Sequence, residues 1–159
     1  MAIFRLPRIL PACRQARGLR STLTTTGDAA ARPVPVPDAA SAPFFDAAAR
    51  GELLLQRCLA CGAFMFPVRP CCAECLSGAL DWAPAGGSAT LYSYTVIHQP
   101  VPGFRSPFVL ATGETPEGVR FNANIVDADA AELSIGMPLK IGFEQLSEGV
   151  AIPVFRVAP

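Results

Sequence analysis

The chain has 159 residues, 51% of them hydrophobic and only 16% charged, a balance that excludes a wholly disordered polymer and predicts one ordinary globular domain or two very small ones. Its formal charge of zero hides an asymmetry: residues 1–32 carry six arginines against Asp28, a balance of +5, and the remainder carries seven cations against twelve acids, a balance of −5. An acidic globular part argues against a broad cationic surface for nucleic acid, and no apolar stretch reaches the roughly 20 residues of a membrane-spanning helix.

Residues 1–32 hold Arg5, Arg8, Arg14, Arg17 and Arg20, several Ser and Thr, and no acid before Asp28. That composition resembles an organellar transit peptide, and it equally suits a plain N-terminal extension of a cytoplasmic protein. Pro33, Pro35, Pro37 and Pro43 then mark an extended linker. The expected organisation is a disordered leader and linker over 1–43, a helix with a metal ribbon over 44–84, and a β-barrel over 85–159. Within FFDAAARGELLLQ, alanine and leucine favour a helix from Phe44, Gly51 breaks it, and a strand follows. Phe44 and Phe45 read as core anchors.

Next comes CLACGAFMFPVRPCCAEC, two C-x-x-C knuckles separated by ten residues. Each knuckle lets two thiolates converge on one ion from a tight turn, and the pair Cys58/Cys61 with Cys72/Cys75 completes a tetrahedral four-sulfur site. Gly62 supplies the permissive backbone that such a turn needs. Four thiolates saturate zinc and leave no position for substrate, so the ion is structural. Iron is the competing metal, since the same ligands suit it, and a redox dithiol is a weaker reading because one C-x-x-C would suffice. Cys71 reads as a spare thiol because only Cys72 preserves the two-residue spacing. Cys13 lies in the leader and carries no assigned role. The pattern implies a reducing compartment.

Beyond Trp82 the periodicity changes to that of strands. TLYSYTVIH (Thr90–His98) predicts a first barrel strand with Tyr92, Tyr94 and Val96 on one face, and FVLATGE a second. In VRFNANIV, Val119, Phe121, Ala123 and Ile125 alternate with polar residues, and TPEG (115–118) makes the intervening turn. DADAAELSIG predicts an acidic helical turn ending at Gly136. LKIGFEQL is a fourth strand with Leu139, Ile141 and Phe143 on one face. VAIPVFRV is a fifth, in which Pro153 points to an edge or bulge. Five short strands with a connector between the third and fourth suit a small closed OB-type barrel, and the fold class is mainly β.

The segments GELLLQRCLACGAFMFPVRPCCAEC, LYSYTVIHQP, GVRFNANIVDAD, SIGMPLKIGFE and VAIPVFR, in that order, resemble the zinc-ribbon plus OB-fold proteins long catalogued as a domain of unknown function. The resemblance covers about residues 44–157. It implies a rubredoxin-like ribbon after an N-terminal helix, then an OB-fold, and an association with acyl-CoA metabolism. It further implies a noncatalytic accessory subunit in a hetero-oligomer, whose thiolase-like partner supplies the chemistry. The subunit would contribute to assembly, active-site completion or acyl-CoA recognition. Cys71 and the arginine-rich leader depart from the family pattern.

A CoA ligand needs a cation for its phosphates and an apolar or aromatic surface for the rest. Phe66, Arg69 and Arg105 are the candidates for those contacts, and the bland alternative for each arginine is a solvated or structural role. His98, the only histidine, lacks any partner that would make it an acid or base. Tyr92 and Tyr94 are read as barrel packing. The alternative function is single-strand nucleic-acid binding on the OB-fold, which has the aromatics it needs but not the basic groove. An independent enzyme is disfavoured by the lack of a nucleophile and base constellation, and no catalytic residue is assigned.

Overall fold

The computed structural model describes residues 32–158, so the expectations for the leader over 1–31 lie outside the described residues. From Arg32 to Asp38 the chain runs without regular secondary structure. The Arg32 side chain pairs with Glu144 and lies over the Phe104 ring, 4.4 Å from its centroid.

Helix α1 (Ala42–Ala49) begins two residues before the expected onset, with Pro43 in its first turn. The Asp38 carboxylate accepts the Ser41 amide at 2.8 Å just ahead of it. The helix stops where Gly51 predicted. Gly51 N–H donates to the Ala48 carbonyl and Glu52 N–H to that of Ala47, the paired bonds of a Schellman ending. Phe44, Ala47 and Ala48 face inward.

Strand β1 (Leu54–Cys58) is the centre of a three-stranded antiparallel sheet, flanked by β2 (Phe64–Met65) and β3 (Leu80–Pro84). The expectation covered only β1. β2 is two residues long and β3 reads LDWAP, in which no apolar alternation appears, so their pairing comes from the knuckle turns that fold them back onto β1.

The barrel comprises β4 (Ser88–Ile97), β5 (Phe108–Glu114), β6 (Arg120–Ile125), β7 (Pro138–Ser147) and β8 (Val150–Val157). The order is β4-β5-β6-β8-β7, closed by β4 against β7, and a short 3-10 turn at Ala130–Glu132 connects β6 to β7. The mainly β architecture of helix, cysteine ribbon and five-stranded OB barrel is therefore as the sequence implied. The turn after β5 is closed by Thr115 N–H to the Val119 carbonyl at 2.9 Å.

Two finer expectations are corrected. In β4 the residues facing the core are Ala89 and Leu91, and then Tyr94 and Val96 are half-buried; a bulge between Leu91 and Ser93 adds one residue and reverses the alternation. Tyr92 is that extra residue. It faces solvent with the Arg120 guanidinium 3.8 Å above its ring. Pro153, in turn, is on no edge strand. It sits inside β8, paired with Phe143 on one side. The Phe155 carbonyl points to β6, accepting the Val126 amide at 2.9 Å. By strand alternation the Pro153 nitrogen lies on that same side, where the β6 ladder, which begins only at Val154, has not yet formed.

One buried cluster runs through the barrel interior, including Leu91, Phe121, Leu139 and Phe155, and continues into Phe44, Leu53 and Leu55 of the first segment. Rings link the two regions in series: Phe44 to Phe66 at 5.1 Å, Phe66 to Phe121 at 5.4 Å, Phe121 to Phe155 at 5.1 Å. Gly113 makes room for the last of these, since a β-carbon there would meet Phe155 at 2.5 Å. Among the described residues no helix is long and apolar enough to cross a membrane.

Candidate functional site

The four cysteines of the two knuckles arrive from the end of β1 and the loop before β3. Their sulfurs all lie within 4.8 Å of one another, with Cys58 to Cys75 and Cys61 to Cys72 both at 3.6 Å. Zinc–sulfur bonds of about 2.3 Å at tetrahedral angles would put sulfurs about 3.8 Å apart, so the donor set fits one such ion. Cys58 and Cys72 are buried, and Cys61 and Cys75 are exposed. Cys71 is exposed and outside the cluster.

The knuckles repeat one another at an offset of fourteen residues. Gly62 N–H donates to the Cys58 carbonyl at 2.8 Å, and Leu76 N–H to the Cys72 carbonyl at 3.1 Å. Cys58 N–H donates to Ala63, and Cys72 N–H to Ser77, at 2.8 and 2.9 Å. Both knuckles close through a left-handed residue, Gly62 at φ +78° and Leu76 at φ +60°. Glycine takes that conformation freely; a leucine there carries a cost of roughly 1–2 kcal/mol.

The thiols act on one another's ionisation. The Cys61 backbone amide holds Cys58 down to about 6. The Ala63 amide also lowers Cys61, but the Cys75 thiol, burial and the other two cysteines outweigh it and push Cys61 up to about 12. Four sulfurs this close shed their protons together only when a cation compensates the charge, which is what a metal-binding cluster requires.

The proposed CoA contacts come from different elements. Phe66 is half-buried between Phe44 and Phe121 and also lines a groove of about 310 Å³ with Phe45, Pro67 and Val68. Arg69 projects from the ribbon loop, and sequence reading missed what fixes it there. The buried Gln56 accepts the Arg69 amide at 2.7 Å and donates to the Arg69 carbonyl at 3.2 Å. A lone glutamine in an apolar strand was the available signal. Arg105 lies in the β4–β5 loop beside a separate groove of about 450 Å³, with Phe104, Phe108, Asn124 and Glu144. Arg32, which sequence reading assigned to the leader, lines that groove and the seam groove next to Phe66. His98 is exposed at the end of β4 and makes no side-chain hydrogen bond among the described residues. Tyr94 is half-buried and donates to the Leu133 carbonyl at 3.1 Å, the packing role expected of it.

Residues 45–81 match the family of ChsH2 rubredoxin-like zinc ribbon domains, and residues 82–144 that of ChsH2 C-terminal OB-fold domains. The chain is 38% identical over 132 residues to a probable enoyl-CoA hydratase alpha subunit of Thermomonospora curvata, covering 81% of this chain and 41% of that one. It is 35% identical over 102 residues to a DUF35 domain-containing scaffold protein of Methanothermobacter thermautotrophicus, covering 62% of this chain and 77% of the other. The chain thus spans about two fifths of the hydratase subunit but most of the scaffold protein. Among solved structures, a chain of the Ltp2-ChsH2(DUF35) aldolase aligns with a TM-score of 0.72 at 36% identity, covering 79% of this chain and 99% of that one. A DUF35-family protein of Sulfolobus solfataricus, at 17% identity and a TM-score of 0.54, shares the fold.

Proposed function

The chain belongs to the ChsH2/DUF35 family of zinc-ribbon and OB-fold proteins, and from that premise we propose that it is a noncatalytic, zinc-holding accessory subunit of an acyl-CoA enzyme, a hydratase or a thiolase-like enzyme. The observation that carries this reading is the near end-to-end likeness to the chain of the Ltp2-ChsH2(DUF35) aldolase, 99% of which is covered. The relative described as an enoyl-CoA hydratase alpha subunit supports it from sequence.

In this reading Cys58, Cys61, Cys72 and Cys75 hold zinc, which cross-links the ribbon and, being saturated, leaves the chemistry to the partner. Arg69 in the ribbon loop and Arg105 in the β4–β5 loop are each candidates for the CoA phosphates, with the partner completing the site. A thiolate metal site suits a reducing compartment, and we assign the protein to the cytoplasm. Nucleic acid is not favoured by the barrel face, where Arg120 is engaged by Tyr92 and by Glu114 at 3.3 Å.

The test is affinity capture of the full chain from its native lysate, with metal analysis of the complex. Recovery of an acyl-CoA hydratase or thiolase-like enzyme with about one zinc per chain is the expected result. Recovery of nucleic acid, or of zinc protein alone, would overturn it.

A further inference from the structure

The two knuckles share one backbone and differ in what they show to solvent. Where the first closes on Gly62, the second closes on Leu76 in the same left-handed conformation, with 77% of that leucine exposed. Leu76 gains almost nothing inside this chain by being there, and glycine would fit the turn better. Leu59 is the other large apolar residue of the knuckles on the surface, 66% exposed, with its amide donated to the Ala79 carbonyl at 2.9 Å. Leu59 follows Cys58 and Leu76 follows Cys75, and those two sulfurs are 3.6 Å apart. Ala60 and Ala73, in the same two knuckles, are also exposed.

The charge of this end is equally one-sided. Cys61, Cys75 and Glu74 are exposed beside the leucines, and from Cys58 to Leu80 the single cation is Arg69, whose backbone is tied to Gln56. Four thiolates around a divalent ion leave a net charge of −2, to which Glu74 adds. We propose that this knuckle end, Leu59 and Leu76 around the exposed sulfurs, is the face that docks on the partner enzyme, seated in an apolar pocket rimmed by arginine or lysine. The inference rests on the accessory-subunit reading and adds to it which surface makes the contact and what chemistry answers it.

The experiment measures affinity between the full-length, zinc-loaded chain and the acyl-CoA enzyme purified from the wild-type complex, alongside melting temperature and metal content. Leu76→Gly relieves the left-handed backbone and removes the side chain. It should raise the melting temperature of the chain by a few degrees while weakening partner binding by roughly tenfold or more. A merely structural leucine cannot give those opposite signs. Leu59→Ser should weaken binding similarly at unchanged zinc content, binding should fall with added salt and with Glu74→Gln, and Ile135→Ser, which removes an exposed apolar residue elsewhere, should leave affinity unchanged. Wild-type affinity in both leucine variants, an equal loss in Ile135→Ser, or self-association of the chain that depends on Leu76 would overturn the proposal while leaving the accessory role standing. If wild-type protein recovers no such enzyme, both readings fall together.

Discussion

In the ribbon the separate buried set is Cys58, Met65 and Cys72, so two of its three interior side chains belong to the four-cysteine cluster; the barrel side of the molecule is filled by Leu, Val, Ile, Phe and Ala. The difference teaches how a short sheet survives. Strands of five, two and five residues bury little apolar surface of their own at the knuckle end against the entropy of ordering it, and a metal cross-link would supply the deficit. The barrel buries a larger apolar set, to which Phe44 and Leu55 of the first segment also contribute.

The largest test of that contrast is to remove the ion. Chelation, or Cys72→Ser, should abolish amide-exchange protection in β1, β2 and β3, because apparent zinc binding of about 10–16 kcal/mol is folding free energy for such modules. Protection in β4 to β8 should persist, and Cys71→Ser should change neither protection nor zinc content. Simultaneous collapse of both regions in the exchange data would erase the distinction. In the opposite direction, Phe121→Ala cuts a buried ring out of the barrel and should cost about 3–5 kcal/mol in chemical denaturation, with the zinc content of the folded protein retained.

A smaller effect sits at the junction. Gly86, between β3 and β4, donates its amide to Glu117 Oε1 in the β5–β6 turn at 2.9 Å. Burial works to raise the Glu117 carboxyl, but the Gly86 amide, the Thr115 side chain and Glu117's own amide together outweigh it and hold the group below the ordinary glutamate value. A depressed folded-state pKa means that this stabilisation is fully present above the unfolded value and is lost as pH falls through the folded one. Melting temperature should therefore decline on acidification in that carboxylate range, and Glu117→Gln should flatten that part of the profile.

The sequence disclosed different things with different sharpness, for physical reasons. The metal cluster was legible because a C-x-x-C knuckle has few ways to fold, and the barrel strands because Val119 to Ile125 and Leu139 to Phe143 keep the period of two. Tyr92 was assigned to the wrong side because a bulge leaves no mark in composition. Pro153 was assigned to an edge or bulge because a proline shows only that a donor is missing, not that the neighbouring strand stops short of it. The place of Arg69, whose backbone is tied to Gln56, and of Arg105, beside a groove, depends on how the ribbon loop and the β4–β5 loop lie in space, which local pattern does not encode. What sets Leu76 apart is its φ angle together with its exposure, neither of which a sequence states.

Parallel β6 and β8 meet through only two residue pairs, Asn124 with Val154 and Ile125 with Phe155. Ahead of those pairs the cylinder is not stitched by its own hydrogen bonds; Phe44, Phe45 and Phe66 line the gap beside Ile152 and Pro153. The barrel therefore borrows part of its wall from the chain that precedes it. A fragment cut at Ala85 would carry all five strands and still have an open side, with Phe121 bared where Phe66 had covered it. Dissection of this protein into its two recognisable halves should accordingly yield a sticky second half, and the residues from Ala42 onward belong in any soluble version of it.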